Sequence, residues 1–433
     1  MRRGFLVDVN RIRVLAVALS AIGLTCIGGS PETPSSLMGT TKGCIDVPYS
    51  FAALANDPDG DSIRCQFDWG DGTMEWTGYR VSGAPESTTH AWSTRGAFSV
   101  RVRAQDLSGR TSGWSATLPV AIVGFPNRVV ATIPICANPC GVAALPNSRY
   151  VYVTDVYTDS VFVIRTSDNS VAAAIQFPEG RYTTSAMGIA VLPNGEYVYV
   201  GCYASGCVKV IRTSDNTIVA TIPIGFGLWG VAALPDGSGV YVTCPTIDGI
   251  FPIRTSDDSL LHGIWPPYRR EPMGIVATIV HGAPYLYVAN EGTDDVSIIR
   301  VLGNLFIRSI PVGGRGTPFG ACDLAALSDG SRIYVANADY GHSIAVISTQ
   351  ADTVVDMIPF VNGSTSIAVL PGDDYVYVAC PTDKSVSVIR TLDDTVVARI
   401  PVDDATGSVA VLPDGQSVYV ANRDSHTVNV IGY

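Results

Sequence analysis

Cysteines are the residues of this 433-residue chain with the widest choice of chemistry, and there are ten of them. In an oxidising compartment, closely spaced cysteines favour disulfides. The cysteines after position 130 can equally be small buried thiols. Their spacings, CxxxC and CxxxxC, differ from the CxxC of zinc and thioredoxin sites, so a thiolate metal or redox site is the weaker alternative. The pairs predicted to form disulfides are Cys44 with Cys65, Cys136 with Cys140, and Cys202 with Cys207.

Three carboxylates alternate in the segment Asp57-Pro-Asp59-Gly-Asp61. Carboxylates this close repel one another unless a cation neutralises them, and Ca²⁺ prefers such oxygen-rich loops. The alternative is a solvated turn in which Asp accepts backbone hydrogen bonds. A Ca²⁺ ion held by Asp57, Asp59 and Asp61 is the only cofactor that the sequence suggests.

Catalytic patterns are missing from the sequence. The five histidines are scattered, and no Ser-His-Asp spacing, HExxH or Gly-rich phosphate loop occurs. The net charge of −11 and the lack of a Lys/Arg run beyond the N-terminal leader argue against a nucleic-acid partner.

Seven of the ten cysteines lie in a region where one sequence phrase recurs seven times. Small apolar residues lead into Leu-Pro and then Tyr-Val, with a period of roughly 42–49 residues, which indicates a solenoid, propeller or array. The copies start at Gly141, Gly188, Gly230, Gly274, Asp323, Ser366 and Ser408.

Each copy predicts four short strands, because runs of Val, Ile and Tyr are bounded by Pro, Asn, Asp, Gly and Ser. The runs are nearly continuously apolar, which indicates burial on both faces, as in the four-stranded blades of a propeller. First strands of the Gly-Val-Ala-Ala-Leu type suit the crowded innermost position. They offer no converging ionisable groups to the channel, which argues against an enzyme.

The two ends of the repeat region predict a closed ring. The last copy stops after its third strand, Val428–Ile431, and an isolated fourth-strand sequence, Val129–Ile133, precedes the first copy. If these two strands pair, the ring has no exposed edge.

The phrase Tyr-Val-Ala-Asn at Tyr287, Tyr334 and Tyr419 resembles the YVTN family of seven-bladed β-propellers, over residues 128–433. The resemblance implies a secreted or surface protein of bacteria or archaea, often linked to surface layers or adhesion. Such propellers are similar in fold to lactonase-type and quinoprotein dehydrogenase enzymes.

Residues 1–30 resemble a signal peptide, with basic residues before the apolar run Val14–Leu24. Cys26 stands where a lipoprotein cysteine would, so lipidation there is an alternative to ordinary cleavage. Residues 31–36 read as a linker.

Residues 37–124 predict a small Ig-like β-sandwich of short strands. The stretches Phe67-Asp-Trp-Gly-Asp-Gly72 and His90-Ala-Trp, followed by Gly96-Ala-Phe98, resemble the PKD-type Ig-like domain. This resemblance implies an extracellular spacer or adhesive module. The predicted fold class is therefore all-β, with a PKD-type sandwich before a seven-bladed β-propeller.

Binding is expected on the propeller face that carries the fourth-to-first and second-to-third connections, since these loops are unequal in length. Aromatic and Arg side chains are enriched at recognition hot spots, although the tryptophans can instead cap the blades. The candidate ligand-binding residues are Arg181, Tyr182, Trp229, Trp265, Tyr268, Arg269, Arg315, Phe319, Tyr340 and His342.

Together these features predict a non-enzymatic extracellular or cell-surface binding or adhesion protein, with a protein or glycan ligand. A propeller enzyme of lactonase or quinoprotein type is the alternative. The protein is expected to be a monomer and to meet a membrane only through a lipid anchor.

Overall fold

The structure is a computed structural model that describes residues 29–135, 138–179, 184–267, 270–313, 320–338, 343–359, 361, 363–404 and 407–433. The chain divides into two compact units after Gly124. Cys26 and most of the predicted signal peptide lie outside the described residues. Within the described ranges, no helix has the length and apolarity needed to cross a membrane.

Eight strands form two sheets in the first unit. The strands are β1 (Ser36–Met38), β2 (Lys42–Cys44), β3 (Tyr49–Leu54), β4 (Ile63–Asp68), β5 (Met74–Trp76), β6 (Glu86–His90), β7 (Gly96–Asp106) and β8 (Leu118–Val123). One sheet has the order β1-β3-β6 and the other the order β2-β8-β7-β4-β5. Alternating apolar residues of both sheets enclose one core, as the predicted sandwich requires.

The PKD-like motif residues build this core. Trp69 and Trp92 are each 1 % exposed, and their rings pack edge to face with centroids 6.1 Å apart. His90 stacks on Trp69 with a centroid distance of 4.5 Å, and its Nε2 lies 2.8 Å from Asp71 Oδ2. Asp71 also accepts hydrogen bonds from the amide and hydroxyl of Thr73. Packing and turn formation therefore account for this motif.

In the described part of the second unit, the strands β9–β36 form seven four-stranded antiparallel sheets, which we call blades 1 to 7. Blades 1 to 3 comprise β10 (Pro139–Ala144), β11 (Tyr150–Asp155), β12 (Ser160–Arg165) and β13 (Ser170–Gln176); β14 (Ala186–Val191), β15 (Tyr197–Cys202), β16 (Cys207–Arg212) and β17 (Thr217–Pro223); β18 (Val231–Ala233), β19 (Gly239–Cys244), β20 (Gly249–Arg254) and β21 (Ser259–Leu260). Blades 4 and 5 comprise β22 (Pro272–Val280), β23 (Ala283–Asn290), β24 (Asp295–Arg300) and β25 (Leu305–Pro311); β26 (Ala321–Ala326), β27 (Arg332–Asn337), β28 (Ser343–Ser348) and β29 (Thr353–Pro359). Blades 6 and 7 comprise β30 (Ser366–Val369), β31 (Tyr375–Cys380), β32 (Ser385–Arg390) and β33 (Thr395–Pro401); β34 (Val409–Val411), β35 (Val418–Asn422), β36 (Thr427–Gly432) and β9 (Arg128–Pro134). Short 3-10 turns follow two second strands, at Pro245–Ile247 and Pro381–Asp383.

Blade 7 confirms the predicted ring closure. Its outer strand β9 comes from the start of the unit and pairs antiparallel with β36, with Val428 opposite Ile133 and Val430 opposite Ala131. Ile133 is 4 % exposed and packs in one core cluster with residues of blades 1 and 7.

A tyrosine in the second strand joins most blades to the next. The Tyr152 hydroxyl donates to Asn216 Oδ1 in blade 2 at 2.7 Å. Asn216 can lie there because it adopts a left-handed φ of 56° in the turn between the third and fourth strands, a conformation that Asn tolerates. Four other blades repeat the contact: Tyr199 with Asp258, Tyr241 with Asn304, Tyr334 with Asp394, and Tyr419 with Asn169. Blade 7 has β9 in place of such a turn, and Tyr377 of blade 6 donates instead to the Pro126 carbonyl at 2.8 Å.

Candidate functional site

A cavity of ≈ 700 Å³ lies where the first strands of all seven blades converge. Its wall is built from the start of each first strand and from the loops after several second strands. The cavity is therefore on the face that carries the fourth-to-first and second-to-third connections, which is the face on which the sequence predicts binding.

One position per first strand sets how closely the blades approach one another. It is Gly in blades 1 to 4, and a Cβ added to Gly188 would lie 1.9 Å from the Trp229 carbonyl oxygen. A Cβ on Gly141 or Gly230 would likewise lie 2.3 or 2.4 Å from a carbonyl of the next blade. Small residues are thus needed at this innermost position because the backbones of neighbouring blades touch there.

The same position carries a side chain in blades 5 to 7, namely Asp323, Ser366 and Ser408. Each of these residues hydrogen-bonds to the next blade, Asp323 and Ser366 through the side chain and Ser408 through its amide. Asp323 Oδ2 accepts from the Ile367 amide at 3.1 Å, and Ser366 Oγ accepts from the Val409 amide at 3.2 Å. The Ser408 amide donates to the Cys140 carbonyl of blade 1 at 2.8 Å.

The residue just before this position varies among the blades and lines the cavity. This variable ring consists of Cys140, Met187, Trp229, Met273, Cys322, Thr365 and Gly407. Cys140 Sγ lies 3.8 Å from Met187 Sδ. On the same wall, Tyr203 packs edge to face on Trp229 with ring centroids 6.2 Å apart. A constant backbone therefore presents sulfur, aromatic and hydroxyl groups to one space.

Ionisable groups also line the cavity, which corrects the expectation that the first strands offer none. Glu271, Glu291 and Asp323 lie on the wall, as does Arg423. Burial raises the pKa of Asp323 to about 6. Burial, and secondarily the Glu271 carboxylate, raises the pKa of Glu291. The signal for Asp323 was in the sequence, because it replaces the Gly or Ser of six other copies.

Among the described residues no two cysteines are joined, so the predicted bonds Cys44–Cys65 and Cys202–Cys207 are not formed there. Cys44 on β2 and Cys65 on β4 have β8 and β7 between them, and three strand spacings of about 4.8 Å exceed the reach of a disulfide. Cys136 lies outside the described residues.

Cys202 and Cys207 face each other at the end of the β15–β16 hairpin. A hydrogen bond from Cys202, with further help from Ser205 and Lys209, lowers the pKa of Cys207 to about 6 despite its burial. Lys209 is buried and its ammonium pairs with Glu179. Cys202 and Cys207 are thus neighbouring buried thiols in the structure and not a disulfide.

Two of the ten predicted ligand-binding residues lie in the described part of the chain. Trp229 is in the cavity wall, and the structure places it in the variable ring. Trp265 is 61 % exposed, packs edge to face on Phe251, and is not among the cavity residues. The remaining eight lie outside the described residues: Arg181, Tyr182, Tyr268, Arg269, Arg315, Phe319, Tyr340 and His342.

The acidic segment of the first unit forms a hydrogen-bonded turn. Asp57 Oδ1 accepts from the Asp59 amide at 2.9 Å and from the Asp61 amide at 3.4 Å. No group of three or more His, Cys, Asp or Glu side chains is placed to hold a metal ion in the described ranges. The turn reading explains these contacts, and Ca²⁺ binding there stays a prediction.

Comparison with known proteins supports both units. Residues 46–117 match the family model of the PKD domain. Among curated protein sequences, none matches the chain. A solved structure described as Kuenenia stuttgartiensis hydrazine synthase aligns with a TM-score of 0.59 and 19% identity, over 70% of this chain and 96% of that one. The structure of U3-55K aligns with a TM-score of 0.60 and 11% identity, over 71% of this chain and all (100%) of that one. The β-propeller domain of Myceliophteria thermophila Cps50 (Swd1) aligns with a TM-score of 0.59 and 13% identity, over 71% of this chain and 100% of that chain. At these identities the likeness establishes the fold alone: the chain is an all-β protein in which a PKD-type Ig-like unit precedes a β-propeller.

Proposed function

We propose that the chain is a non-enzymatic extracellular or cell-surface binding or adhesion protein of a bacterium or archaeon. Its YVTN-type propeller holds a protein or glycan ligand at the central cavity, and the PKD-like unit serves as a spacer. We expect it to act as a monomer and to meet a membrane only through a lipid on Cys26.

The observation that carries this proposal is the variable ring. Six of the seven blades place a side chain there, and these side chains differ in chemistry while the neighbouring Gly, Ser or Asp position keeps the ring together. Trp229 and Tyr203 supply an aromatic contact in this wall, a residue type enriched at binding hot spots. A binding platform needs such a contrast between a rigid frame and a varied surface.

The test is a glycan array and an extracellular-protein array probed with the full chain and two tryptophan variants. Trp229→Ala removes the cavity aromatic, whereas Trp265→Ala removes an exposed aromatic outside the cavity. We expect a ligand that binds wild type and Trp265→Ala equally and binds Trp229→Ala at least tenfold more weakly. An equal loss of ligand binding in both variants would show that the ligand does not bind at the cavity.

The carboxylates of the cavity favour a second candidate, a propeller enzyme of lactonase or quinoprotein type. Asp323, with its raised pKa, could hold a proton near neutral pH. Lactone opening, or dye reduction with an added quinone, that is present in wild type and lost in Asp323→Asn would establish the enzyme and overturn the binding proposal.

A further inference from the structure

Three arginines and three aromatic rings alternate across the outer face of the five-stranded sheet in the first unit. The guanidinium carbon of Arg64 lies 4.4 Å from the ring centroid of Trp76 and 5.0 Å from that of Tyr79. Arg103 lies 5.9 Å from Trp76 and 4.7 Å from Trp114, and Arg101 lies 4.6 Å from Trp114. We call Tyr79, Arg64, Trp76, Arg103, Trp114 and Arg101 the Arg–aromatic row.

Strand alternation produces the row. On β4, Cys65 and Phe67 are buried in the core, so Arg64 and Gln66 point to the opposite face. On β7, Val100, Val102 and Ala104 are likewise buried, and Arg101 and Arg103 point outward.

Register then brings the arginines together with the rings. Gln66 pairs with Arg103 on one side and with Trp76 on the other. Trp114 arrives from the segment after β7, where the Ser115 amide donates to the Val102 carbonyl at 2.8 Å.

Two of the three guanidinium groups keep an uncompensated charge. Arg64 donates to Gln105 Oε1 through Nε at 3.0 Å and Nη2 at 2.7 Å, and Arg103 Nε donates to Gln66 Oε1 at 2.8 Å. These partners are neutral amides. Among the described residues, Arg101 is the one of the three that joins an ion pair, with Asp68 at 2.9 Å. A positive row therefore lies on a chain whose net charge is −11.

The row combines two kinds of electropositive group. The guanidinium groups lie over ring faces, which attract the cation, and the ring edges carry the positive part of the aromatic quadrupole. Arg101 and Tyr79 are 41% and 40% exposed, which leaves these edges within reach of a partner. An extended chain with regularly spaced anionic groups matches such a line, because guanidinium binds carboxylate and sulfate through paired hydrogen bonds.

We propose that the Arg–aromatic row binds an acidic polysaccharide that bears carboxylate or sulfate groups. A nucleic acid is the less favoured partner, because the sequence has no Lys/Arg run beyond the N-terminal leader, and duplex DNA is included in the test. The proposal adds a site to the unit that the proposed function treats as a spacer, and it does not depend on the cavity.

The experiment measures binding of the full chain to immobilised polygalacturonate, dextran sulfate and neutral dextran at low and physiological salt. The test variant is Arg64→Gln with Arg103→Gln, in which each glutamine can still bond to the neighbouring amide. The matched control is Arg165→Gln with Arg212→Gln, which removes two exposed propeller arginines that pair with Asp168 and Asp215.

We expect wild type and the control to bind one or both acidic polymers and to ignore neutral dextran. Binding should weaken with salt, because exposed charge pairs are screened. The test variant should bind at least tenfold more weakly, with a melting temperature within a few degrees of wild type. If it unfolds, Arg64→Lys with Arg103→Lys keeps the charges but lacks the planar stacking, and an intermediate affinity supports the row.

Three results with wild type and the test variant would overturn the proposal. They are equal binding of wild type and the folded test variant, equal binding of neutral dextran and the acidic polymers, and tighter binding of duplex DNA than of either acidic polymer at the same salt. Loss of polymer binding in Trp229→Ala, which alters only the propeller, would also contradict it.

Discussion

At Asp323 the repeat departs from its own pattern, and the departure has an energetic consequence. A carboxyl whose pKa is raised in the folded state binds its proton more tightly there than in the unfolded chain, where the usual value is 3.8. Stability from this group is present at acidic pH and is lost as pH rises through about 6. Each unit of pKa shift corresponds to about 1.4 kcal/mol.

Asp323→Ser, which copies the residue of blades 6 and 7, removes the buried carboxylate that destabilises the folded protein above about pH 6. We therefore expect the melting temperature of the variant minus that of wild type to be more positive at pH 7.5 than at pH 4.5. The control Ser408→Ala changes the same ring position in blade 7, where no titrating group is present, and should show no pH-dependent difference. A difference for Asp323→Ser that is constant with pH would contradict the buried-carboxyl explanation.

Cys207 is a second residue whose chemistry depends on a neighbour. The Cys202 hydrogen bond is the largest cause of its lowered pKa, so Cys202→Ala should shift the pH profile of Cys207 alkylation to higher pH. Cys202→Ser keeps a donor and should shift it less. Peptide mapping after iodoacetamide treatment between pH 5 and 9 measures both profiles, and identical profiles would show that Cys202 does not stabilise the thiolate.

At the scale of the element, the outer strand β9 has some side chains that are buried in the core and others that are exposed to solvent. Ile133 is 4 % exposed, whereas Val130 on the same strand is 49 % exposed. We expect Ile133→Ala to lower the free energy of unfolding by about 2–5 kcal/mol, because it leaves a cavity in the core of blades 1 and 7. Val130→Ala should change it by less than about 0.5 kcal/mol. Urea unfolding of both variants tests the pairing of β9, and equal effects would contradict it.

The strands were predictable because each repeat places Val, Ile and Tyr between turn residues, and seven copies reinforce one another. The second strands are almost wholly buried, as expected, but fourth strands such as β17 alternate between exposed residues and residues that are mostly only partly buried. The sequence pattern missed this difference because the outer strand packs against a neighbour on one side only.

Contacts between residues that are far apart in the sequence could not be predicted from it. Tyr152 and Asn216 are 64 positions apart, and nothing local indicates that they meet. The Arg–aromatic row depends on the register of β4, β5 and β7, which short strands leave unspecified until turns and core packing select it. Asp323 was visible as a break in the repeat, but its effect needed the ring geometry.

At the scale of the whole molecule, each unit has its own core. The cluster around Trp69 and Trp92 contains only residues of the first unit, and the blade clusters contain only residues of the second. We therefore expect the fragment Phe125–Tyr433 to fold without the first unit. Circular dichroism and a cooperative melting transition are the measurements, and an unfolded fragment would contradict the expectation.

A shorter fragment provides the control. Arg128–Tyr433 keeps β9 but lacks the Pro126 carbonyl, the acceptor for the buried Tyr377 hydroxyl, and the Phe125 ring that packs on Tyr375. An unsatisfied buried hydroxyl costs about 1–3 kcal/mol. The shorter fragment should melt at a lower temperature than Phe125–Tyr433, although both retain every strand of the seven blades.

The pairing of β9 with β36 also governs when the ring can form during synthesis. Asn429 donates to the Thr132 hydroxyl although the two residues are 297 positions apart, so β9 must wait for a strand that is synthesised much later. Until then the third strand of blade 7 is missing and β9 has no partner, which leaves a strand edge free to pair with other chains. A stop codon at position 427 therefore removes β36 and leaves β9 without its partner strand, so we expect this product to be less soluble than the full chain when both are expressed side by side.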